Sequence, residues 1–585
     1  MRRTPALSTA IALVIVALSG CVSLPESGPV VPADNEGSFA DELGSRYLPN
    51  PPQPGESATD IVRHFLEAMT ATPIQTNSAA EFLTEDAQAS WEPEGETIVY
   101  GDATQPKGQT RVSVALTDAH VLDSRGVFAG RLPPADRTFS FRMTIEEGQW
   151  RIDDPPDALI VPRYWTDDQF RPVDVYFFDP TARILVPEPV SVPRGEQFAT
   201  ALTRSLLAGP GPALAQVSRN FLPPQLTLGL SVPVDADGIA DVALQGDGSS
   251  MSAEEAELAA VQLAWTLRQD PAIRSIRLTA DGQPLPGQSS LIRVEDGAQY
   301  GPADFSSSTS LLALRDGRLV SGQPDAMTPV DGLAGQQDYG FTDFAVSLDS
   351  TQVAGITDGG TSVLLGPTFA RDGLLDQVVS GATSLLPPVW DFADRLWLVD
   401  RTSQGAQVTL IDRQGPRLVD VPGVTGERVR HVLVSRDGSR LVSVVRRPGR
   451  VRGEERPPRD QVVTSRIQYD DRGDLLAVTD ARRLPWPTGE RPRIRDIAWR
   501  TATSVAVLYP IRELVQVRTL TVDGAPVDAS VASPTLGGDY RYLIGSPEIG
   551  GALFAASAQA YTDLTEADRS PEPADVDLST LTYTG

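Results

Sequence analysis

The stretch HVLVSRDGSRLVSVV, residues 431–445, decides how the larger half of this 585-residue chain is interpreted. It contains a short apolar strand, a polar turn at Asp437-Gly438 and a second strand that is almost wholly apolar. This strand–turn–strand order is typical of an antiparallel hairpin in a buried sheet. Three further stretches repeat it, namely FAVSLDSTQVAGIT (344–357), PPVWDFADRLWLVD (387–400) and DIAWRTATSVAVLY (496–509).

The spacing of these four units predicts the fold of the C-terminal half. The first three begin 43 and 44 residues apart, and the last gap is wider because RRPGRVRGEERPPRDQ (446–461) is inserted. A repeat of about 40–45 residues has the length of one propeller blade. We therefore expect residues 305–585 to form an all-β β-propeller of about six blades. A pair of β-sandwiches is the alternative if the repeat is accidental.

Two smaller domains are predicted before the propeller. In residues 57–165, helices that begin near Ser57 and Ser78 precede strands of period two and end in Trp150-Arg151-Ile152. This order resembles the α+β NTF2-like fold. Residues 172–295 resemble the α/β GerMN domain, through the successive segments ALTRSLLAGPG (201–211), ADVAL (240–244), ELAAVQLAWTLRQ (257–269) and IRSIRLTADGQPL (273–285).

The amino terminus has the pattern of an exported lipoprotein. Arg2 and Arg3 precede the apolar run IALVIVAL (11–18), and Leu18-Ser19-Gly20-Cys21 is similar to the bacterial lipobox. That resemblance implies a signal peptide at residues 1–20 and a Cys21 that carries S-diacylglycerol and N-palmitoyl groups. We therefore expect the chain to be lipid-anchored at the extracytoplasmic face of the cell membrane, with the proline-rich residues 21–56 as a tether.

Composition argues against several functional classes. The chain has 77 acidic and 50 basic residues and a formal charge of −27, which disfavours nucleic-acid binding and adhesion of the whole body to anionic lipid. A single cysteine rules out an internal disulfide and a CxxC metal site. Neither a metal nor a cofactor is predicted, and the acids around Asp235–Gly238 are interpreted as a hairpin turn because they lack calcium-loop spacing.

No catalytic residues are predicted. His64 and His120 have carboxylates close by in sequence, so a catalytic dyad is one interpretation and a surface histidine beside acids is the other. There is no Ser-His-Asp order, metal-ligand spacing or nucleotide-binding loop, and we expect a protein that is not an enzyme.

A lipobox, an NTF2-like unit, a GerMN unit and a propeller in this order resemble the LpqB lipoproteins of actinobacteria. The resemblance implies a non-catalytic accessory regulator that contacts the extracytoplasmic domain of the sensor histidine kinase MtrB, in the MtrA–MtrB two-component system. Through that contact it would influence envelope homeostasis and division. The family supplies neither catalytic nor interface residues to carry over.

Two features leave the binding surface open. The insertion contains a cluster of arginines that could bind an acidic partner or an anionic polymer, although a solvated hairpin tip is equally expected. The cluster consists of Arg446, Arg447, Arg450, Arg452, Arg456 and Arg459. The alternative function is an envelope glycan- or peptidoglycan-binding lipoprotein. Exposed Trp390, Trp397 or Trp499 would favour it by stacking on sugars, but their place in the repeat predicts burial.

Overall fold

The computed structural model describes residues 47–585 except 290, 303–310, 370–371, 452–453, 487–491, 528–530, 532, 547–549, 567–568 and 575. The side chains of residues 449–451 and 454–457 are also not described. The predicted signal peptide, the lipidation residue Cys21 and most of the predicted tether therefore lie outside the described residues.

The N-terminal domain packs helices against two sheets. Its first helix begins where the Ser57 hydroxyl accepts the Asp60 backbone N–H, and it buries Ile61, Val62 and Phe65. The helices are α1 (Ala58–Ala68), α2 (Asn77–Ala80) and α3 (Glu85–Ser90). The strands are β1 (Glu96–Tyr100), β2 (Asp102–Ala103), β3 (Lys107–Gly108), β4 (Arg111–Thr117), β5 (His120–Asp123), β6 (Phe128–Arg131), β7 (Thr138–Glu146), β8 (Gln149–Ile152) and β9 (Leu159–Pro162).

One sheet has the order β6-β5-β1-β9, and the other has the order β2-β4-β7-β8 with β3 beside β4. The two sheets and α1 enclose one apolar core, so the predicted α+β class is confirmed.

The second domain alternates strands and helices. Helix α4 (Arg163–Gln169) ends the N-terminal domain, and its Trp165 packs in the core of that domain. The elements of the second domain are β10 (Phe170–Phe178), β11 (Leu185–Pro193), α5 (Phe198–Leu207), β12 (Thr227–Leu228), β13 (Ile239–Gln245), α6 (Ala253–Leu267), β14 (Ser275–Ala280), β15 (Gln283–Pro284) and β16 (Ile292–Arg293). Strands β13 and β14 are parallel, and α6 crosses between them. A reciprocal capping box of Ser252 and Glu255 starts α6. This is the predicted α/β domain, and Asp235 closes its predicted turn by accepting the N–H groups of Asp237 and Ile239.

The C-terminal half forms six sheets within the described residues. Blade 1 contains β17 (Leu311–Arg315), β18 (Arg318–Gln323) and β19 (Ala326–Pro329), followed by the short helix α7 (Leu333–Gln336). Blade 2 contains β20 (Asp343–Val346), β21 (Gln352–Thr357), β22 (Ser362–Pro367) and β23 (Asp376–Val379). Blade 3 contains β24 (Val389–Trp390), β25 (Leu396–Thr402), β26 (Gly405–Asp412) and β27 (Gly415–Val419).

The remaining blades follow the same antiparallel order. Blade 4 contains β28 (Val429–Val434), β29 (Arg440–Val451), β30 (Glu454–Tyr469), β31 (Leu475–Val478) and β32 (Arg482–Arg483). Blade 5 contains β33 (Asp496–Thr501), β34 (Ser504–Ile511), β35 (Leu514–Thr521) and β36 (Thr535–Gly537). Blade 6 contains β37 (Tyr542–Gly545), β38 (Leu553–Ala556), β39 (Ala560–Asp563) and β40 (Glu572–Pro573).

The last strand closes the ring. Strand β41 (Asp577–Thr582) pairs with β17 and completes blade 1 from the other end of the propeller. The innermost strands contact one another in the order β20, β24, β28, β33, β37, β41 and back to β20. The prediction of a propeller with about six blades is confirmed, and the sandwich alternative is wrong. The four repeat units in the sequence are the first two strands of blades 2 to 5. The domain boundaries 57–165, 172–295 and 305–585 stay predictions.

Candidate functional site

A cavity of about 900 Å³ is the candidate functional site. Residues 47–585 pack as one compact unit, and all three domains contribute to the cavity wall. The N-terminal domain supplies β5 and α4, the second domain supplies β10 and the end of α6, and the propeller supplies the innermost strands of its blades. The volume lies in the range of about 300–1,000 Å³ that is usual for small-molecule sites.

The propeller part of the cavity contains a histidine–aspartate pair. His431 Nδ1 of β28 lies 3.1 Å from Asp496 Oδ1 of β33. The same carboxylate accepts the backbone N–H of Ile497 at 2.9 Å and that of Leu543, in the next blade, at 2.8 Å. Asp496 therefore connects three successive blades, and these bonds give it a structural role. The Nε2 atom of His431 is buried and has no hydrogen-bond partner among the described residues.

A second carboxyl group in this wall holds its proton unusually tightly. Burial raises the pKa of Asp343, at the start of β20, to about 7, and the nearby carboxylates Asp577 and Asp496 add to the shift. Its Oδ1 accepts the Phe344 backbone N–H at 2.9 Å. Near neutral pH this part of the wall therefore carries less negative charge than its aspartates suggest.

Charged residues are buried where the second domain meets the propeller. Burial raises the pKa of Asp174, on β10, to about 6, while a hydrogen bond with Thr503 and the charge of Arg440 favour its ionised form. Glu188, on β11, faces Arg125 at 3.7 Å, and burial raises its pKa as well. Acids of the second domain thus face arginines of the propeller and of the N-terminal domain.

The turn between β10 and β11 forms an apolar contact with the same propeller face. Ile184 packs in a buried cluster with Leu348 of blade 2 and Phe392 of blade 3. The Arg183 guanidinium lies 5.8 Å from the centre of the Phe392 ring. This contact and the buried charges fix the second domain over one end of the propeller channel.

All three domains meet above blade 5. Arg163, on α4, donates from Nη2 to the Val527 carbonyl at 2.8 Å. Asp174 of β10 reaches Thr503 in the turn after β33. Arg500, at the end of β33, lines the cavity and donates from Nη1 to Thr519 Oγ1 at 3.0 Å. Burial lowers the pKa of Arg500, and the described residues give it no carboxylate partner.

Neither histidine considered from the sequence forms a dyad in the cavity. His64 Nδ1 lies 3.0 Å from Glu56 Oε1, but this pair is not part of the cavity wall. His120 does line the cavity, and burial together with Arg163 and Arg131 lowers its pKa to about 4, so it is neutral. The described residues contain no group of three or more His, Cys, Asp or Glu side chains arranged to hold a metal ion.

The arginine-rich insertion is the extended hairpin of β29 and β30. Arg446 forms a bidentate pair with the fully buried carboxylate of Asp460, at 2.8 and 3.1 Å. Arg447 Nη1 lies 2.8 Å from Glu427 Oε1, and Arg459 pairs with Arg447 in the strand register. Arg452 lies outside the described residues, as do the side chains of Arg450 and Arg456. A role of the six arginines in partner binding stays a prediction.

The tryptophans named for glycan stacking are not exposed platforms. Trp390 and Trp397 are buried, and Trp499 is half-buried and donates from Nε1 to the Val434 carbonyl at 3.1 Å. Their burial was expected from the repeat. Trp499 also lines the cavity.

The sequence did not reveal Asp174, Arg500 or the His431–Asp496 pair as parts of one site. A charged residue inside the apolar strand FRPVDVYFF was the available signal for Asp174.

No helix in the described part of the chain has both the length and the apolar character needed to cross a bilayer.

Comparisons with known proteins agree along the chain. Residues 51–167 match the family model "Lipoprotein LpqB, N-terminal domain", and residues 317–568 match "Lipoprotein LpqB beta-propeller domain". Residues 174–286 match the model described as "Sporulation and spore germination".

Whole-length relatives carry one name. Lipoprotein LpqB of Thermobifida fusca is 28% identical over 619 residues, which cover 93% of this chain and 94% of the relative. Lipoprotein LpqB of Streptomyces coelicolor is 28% identical over 581 residues, which cover 92% of this chain and 91% of the relative. That of Mycobacterium tuberculosis is 28% identical over 534 residues and covers 84% of each chain. With both LpqB domain models and relatives matched over nearly their full length, the chain belongs to the LpqB family of lipoproteins.

Proposed function

We propose that this protein is a lipid-anchored, extracytoplasmic accessory protein that binds the extracytoplasmic domain of the sensor histidine kinase MtrB. It catalyses no reaction. By binding, it tunes signalling through the MtrA–MtrB system and so influences envelope homeostasis and division.

The observation that carries this proposal is the packing of three domains into one unit around a shared cavity. A unit of this kind can present one fixed surface to a partner. The histidine–aspartate pair in the cavity serves as a connection between blades, because both Asp496 oxygens accept backbone N–H groups. Family membership supports the lipoprotein part of the proposal.

Regulation by binding has a definite energetic requirement. The protein shifts the kinase only if it binds one kinase state more tightly than the other. A coupling free energy of about 1–3 kcal/mol, equivalent to roughly 5–150-fold in affinity, is typical of such regulation.

Surface plasmon resonance tests the proposal, with residues 22–585 over the immobilised extracytoplasmic domain of the kinase. Saturable binding is expected. Domain deletions are unsuitable because removing the second domain would expose Leu348 and Phe392, which Ile184 covers. Absence of binding at high micromolar concentration contradicts the proposal.

The arginine hairpin can be tested by trimming it. Arg447 and Arg459 face each other in register, so replacing residues 448–458 with Asn-Gly closes the hairpin with a two-residue turn. If the hairpin is the kinase-binding surface, the trimmed variant loses binding. Arg318→Glu, an exposed change on blade 1, is the control and retains it.

The same purified protein distinguishes the glycan-binding alternative from kinase binding. Sedimentation with purified cell-wall glycan, together with no kinase binding, would favour that alternative. The burial of Trp390 and Trp397 weakens it, because neither ring is available to stack on a sugar.

The lipid anchor is tested by Cys21→Ser in the full chain. Loss of the thiol removes the site of acyl attachment, so the wild type is expected to incorporate a labelled acyl chain and the variant to incorporate none. Equal acyl labelling of the variant and the wild type contradicts the anchor at Cys21.

A further inference from the structure

We propose that the three-domain junction above blade 5 binds an anionic amphiphile, a long apolar molecule with one carboxylate or phosphate head group. Arg500 and Arg171 bind the head group, and the apolar wall of the cavity holds the chain.

The two arginines are partly buried and have no carboxylate partner among the described residues. Arg500 is half-buried, and its hydrogen-bond partner among the described residues is the neutral Thr519 hydroxyl. Arg171, on β10, lies with its guanidinium 5.3 Å from the centre of the Phe198 ring and has no ion pair within the described chain. A partly desolvated guanidinium without a carboxylate is ready to form a bidentate bond with an anion.

The two arginines line the same junction. Asp174 of β10 contacts Thr503 of the propeller. Arg171 precedes Asp174 by three residues, and Arg500 precedes Thr503 by three residues. Both residues line the same cavity, Arg171 from the second domain and Arg500 from the propeller. Strand β10 and the turn after β33, to which they are adjacent, are in contact through Asp174 and Thr503.

The acidic residues of this region are already compensated within the protein. Asp167 lies 3.7 Å from Arg163. Asp174 faces Thr503 and the charge of Arg440, and Asp523 also faces Arg440. An incoming anion thus meets two uncompensated cations, although the whole chain carries a formal charge of −27.

The remaining residues of the cavity wall indicate that the rest of the ligand, apart from its head group, is apolar. The cavity is lined by apolar residues of all three domains, among them Leu122, Phe128, Phe170, Val190 and Val527. A volume of about 900 Å³ accommodates an acyl-like or prenyl-like chain. A small hydrophilic anion would leave this apolar surface uncovered, which is why an amphiphile fits better.

The test is displacement of a fluorescent fatty acid, 11-(dansylamino)undecanoic acid, from residues 22–585. Dodecanoate and dodecyl phosphate, below their critical micelle concentrations, and dodecanol, below its solubility limit, serve as competitors. We expect the two anions to displace the probe at least ten-fold more effectively than the alcohol, and the stronger anion identifies the head group as carboxylate or phosphate. The readout needs no kinase, so its outcome is independent of the proposed function.

Variants locate the site. Arg500→Gln should weaken dodecanoate binding about ten-fold, the usual effect of losing one charged hydrogen bond. Arg512→Gln, an exposed arginine in the turn after β34 of the same blade, should leave it unchanged. Arg171→Gln is the second test if Arg500→Gln alters the circular dichroism spectrum. Equal displacement by the anions and the alcohol, no binding of the probe, or unchanged affinity in both variants overturns the proposal.

Discussion

The ion pair beneath the second domain gives the sharpest stability prediction. Asp391 and Arg395 occupy the turn between β24 and β25, with side chains 0% and 5% exposed. Arg395 Nε donates to Asp391 Oδ2 at 2.7 Å, and its guanidinium lies 3.5 Å from the centre of the Tyr469 ring. Asp391 Oδ1 also accepts the Ala393 N–H at 3.0 Å.

The perturbation is Asp391→Asn, which keeps an oxygen for the Ala393 N–H but removes the charge. Breaking a buried pair in this way costs about 3–5 kcal/mol, because the remaining charge of Arg395 stays buried without its partner. Arg395→Met should cost a similar amount. The double variant removes both charges at once and should cost clearly less than the sum, about 1–2 kcal/mol.

The assay is thermal unfolding followed by tryptophan fluorescence, since Trp397 lies on β25 beside the pair. For a domain of this size the single variants should lower Tm by on the order of 10 °C. Exposed Arg318→Met is the control and should have little effect. Additive losses in the double variant would contradict this prediction, because they would mean that the two charges stabilise the fold independently.

Three further changes have defined outcomes. Asp343→Asn should gain stability relative to the wild type as the pH rises from about 4 to 7. Burial raises the pKa of Asp343 in the folded protein to about 7, above the usual value of about 3.9, so the wild type loses stability across that window and the variant, which lacks the titrating group, does not. Tm measured against pH checks this, and parallel curves for the two proteins would contradict it. Gln262→Leu should destabilise the second domain by about 1–3 kcal/mol in urea unfolding, because the N–H of the half-buried Phe221 loses its acceptor, the buried Gln262 oxygen at 2.8 Å; an unchanged midpoint would count against that role. Ser252→Ala should cost about 1 kcal/mol in the same assay by removing the cap of α6, and a loss below about 0.3 kcal/mol, under the usual lower limit of about 0.5 kcal/mol, would show that the cap is dispensable.

The local organisation of the propeller could be predicted from the sequence. Each of the four repeat units contains an inner strand, a turn and a second strand, and the structure places them in blades 2 to 5. The closure of the ring could not be predicted. Strand β41 pairs with β17 across almost the whole propeller, and its sequence DLSTLT alternates like that of any half-buried strand.

The candidate site was harder to predict from the sequence than the propeller, because the site depends on how the domains pack against one another. Asp174 and Arg500 are far apart in the chain, and neither belongs to a motif with fixed spacing. Short-range patterns report helices and strands, whereas this cavity exists only when β10 lies over the turn after β33. The pairing of Arg446 with Asp460 was likewise hidden, since it follows from the register of the long hairpin.

The proposed function requires that binding of this protein changes the activity of the sensor kinase. The most direct measurement is the autophosphorylation rate of the full-length kinase in nanodiscs, with and without a saturating amount of the lipid-anchored protein. We expect the rate to change roughly 5–150-fold, the range set by a coupling of about 1–3 kcal/mol if the bound state alone is active or inactive. An unchanged rate at saturation, with binding verified in the same sample, would contradict it.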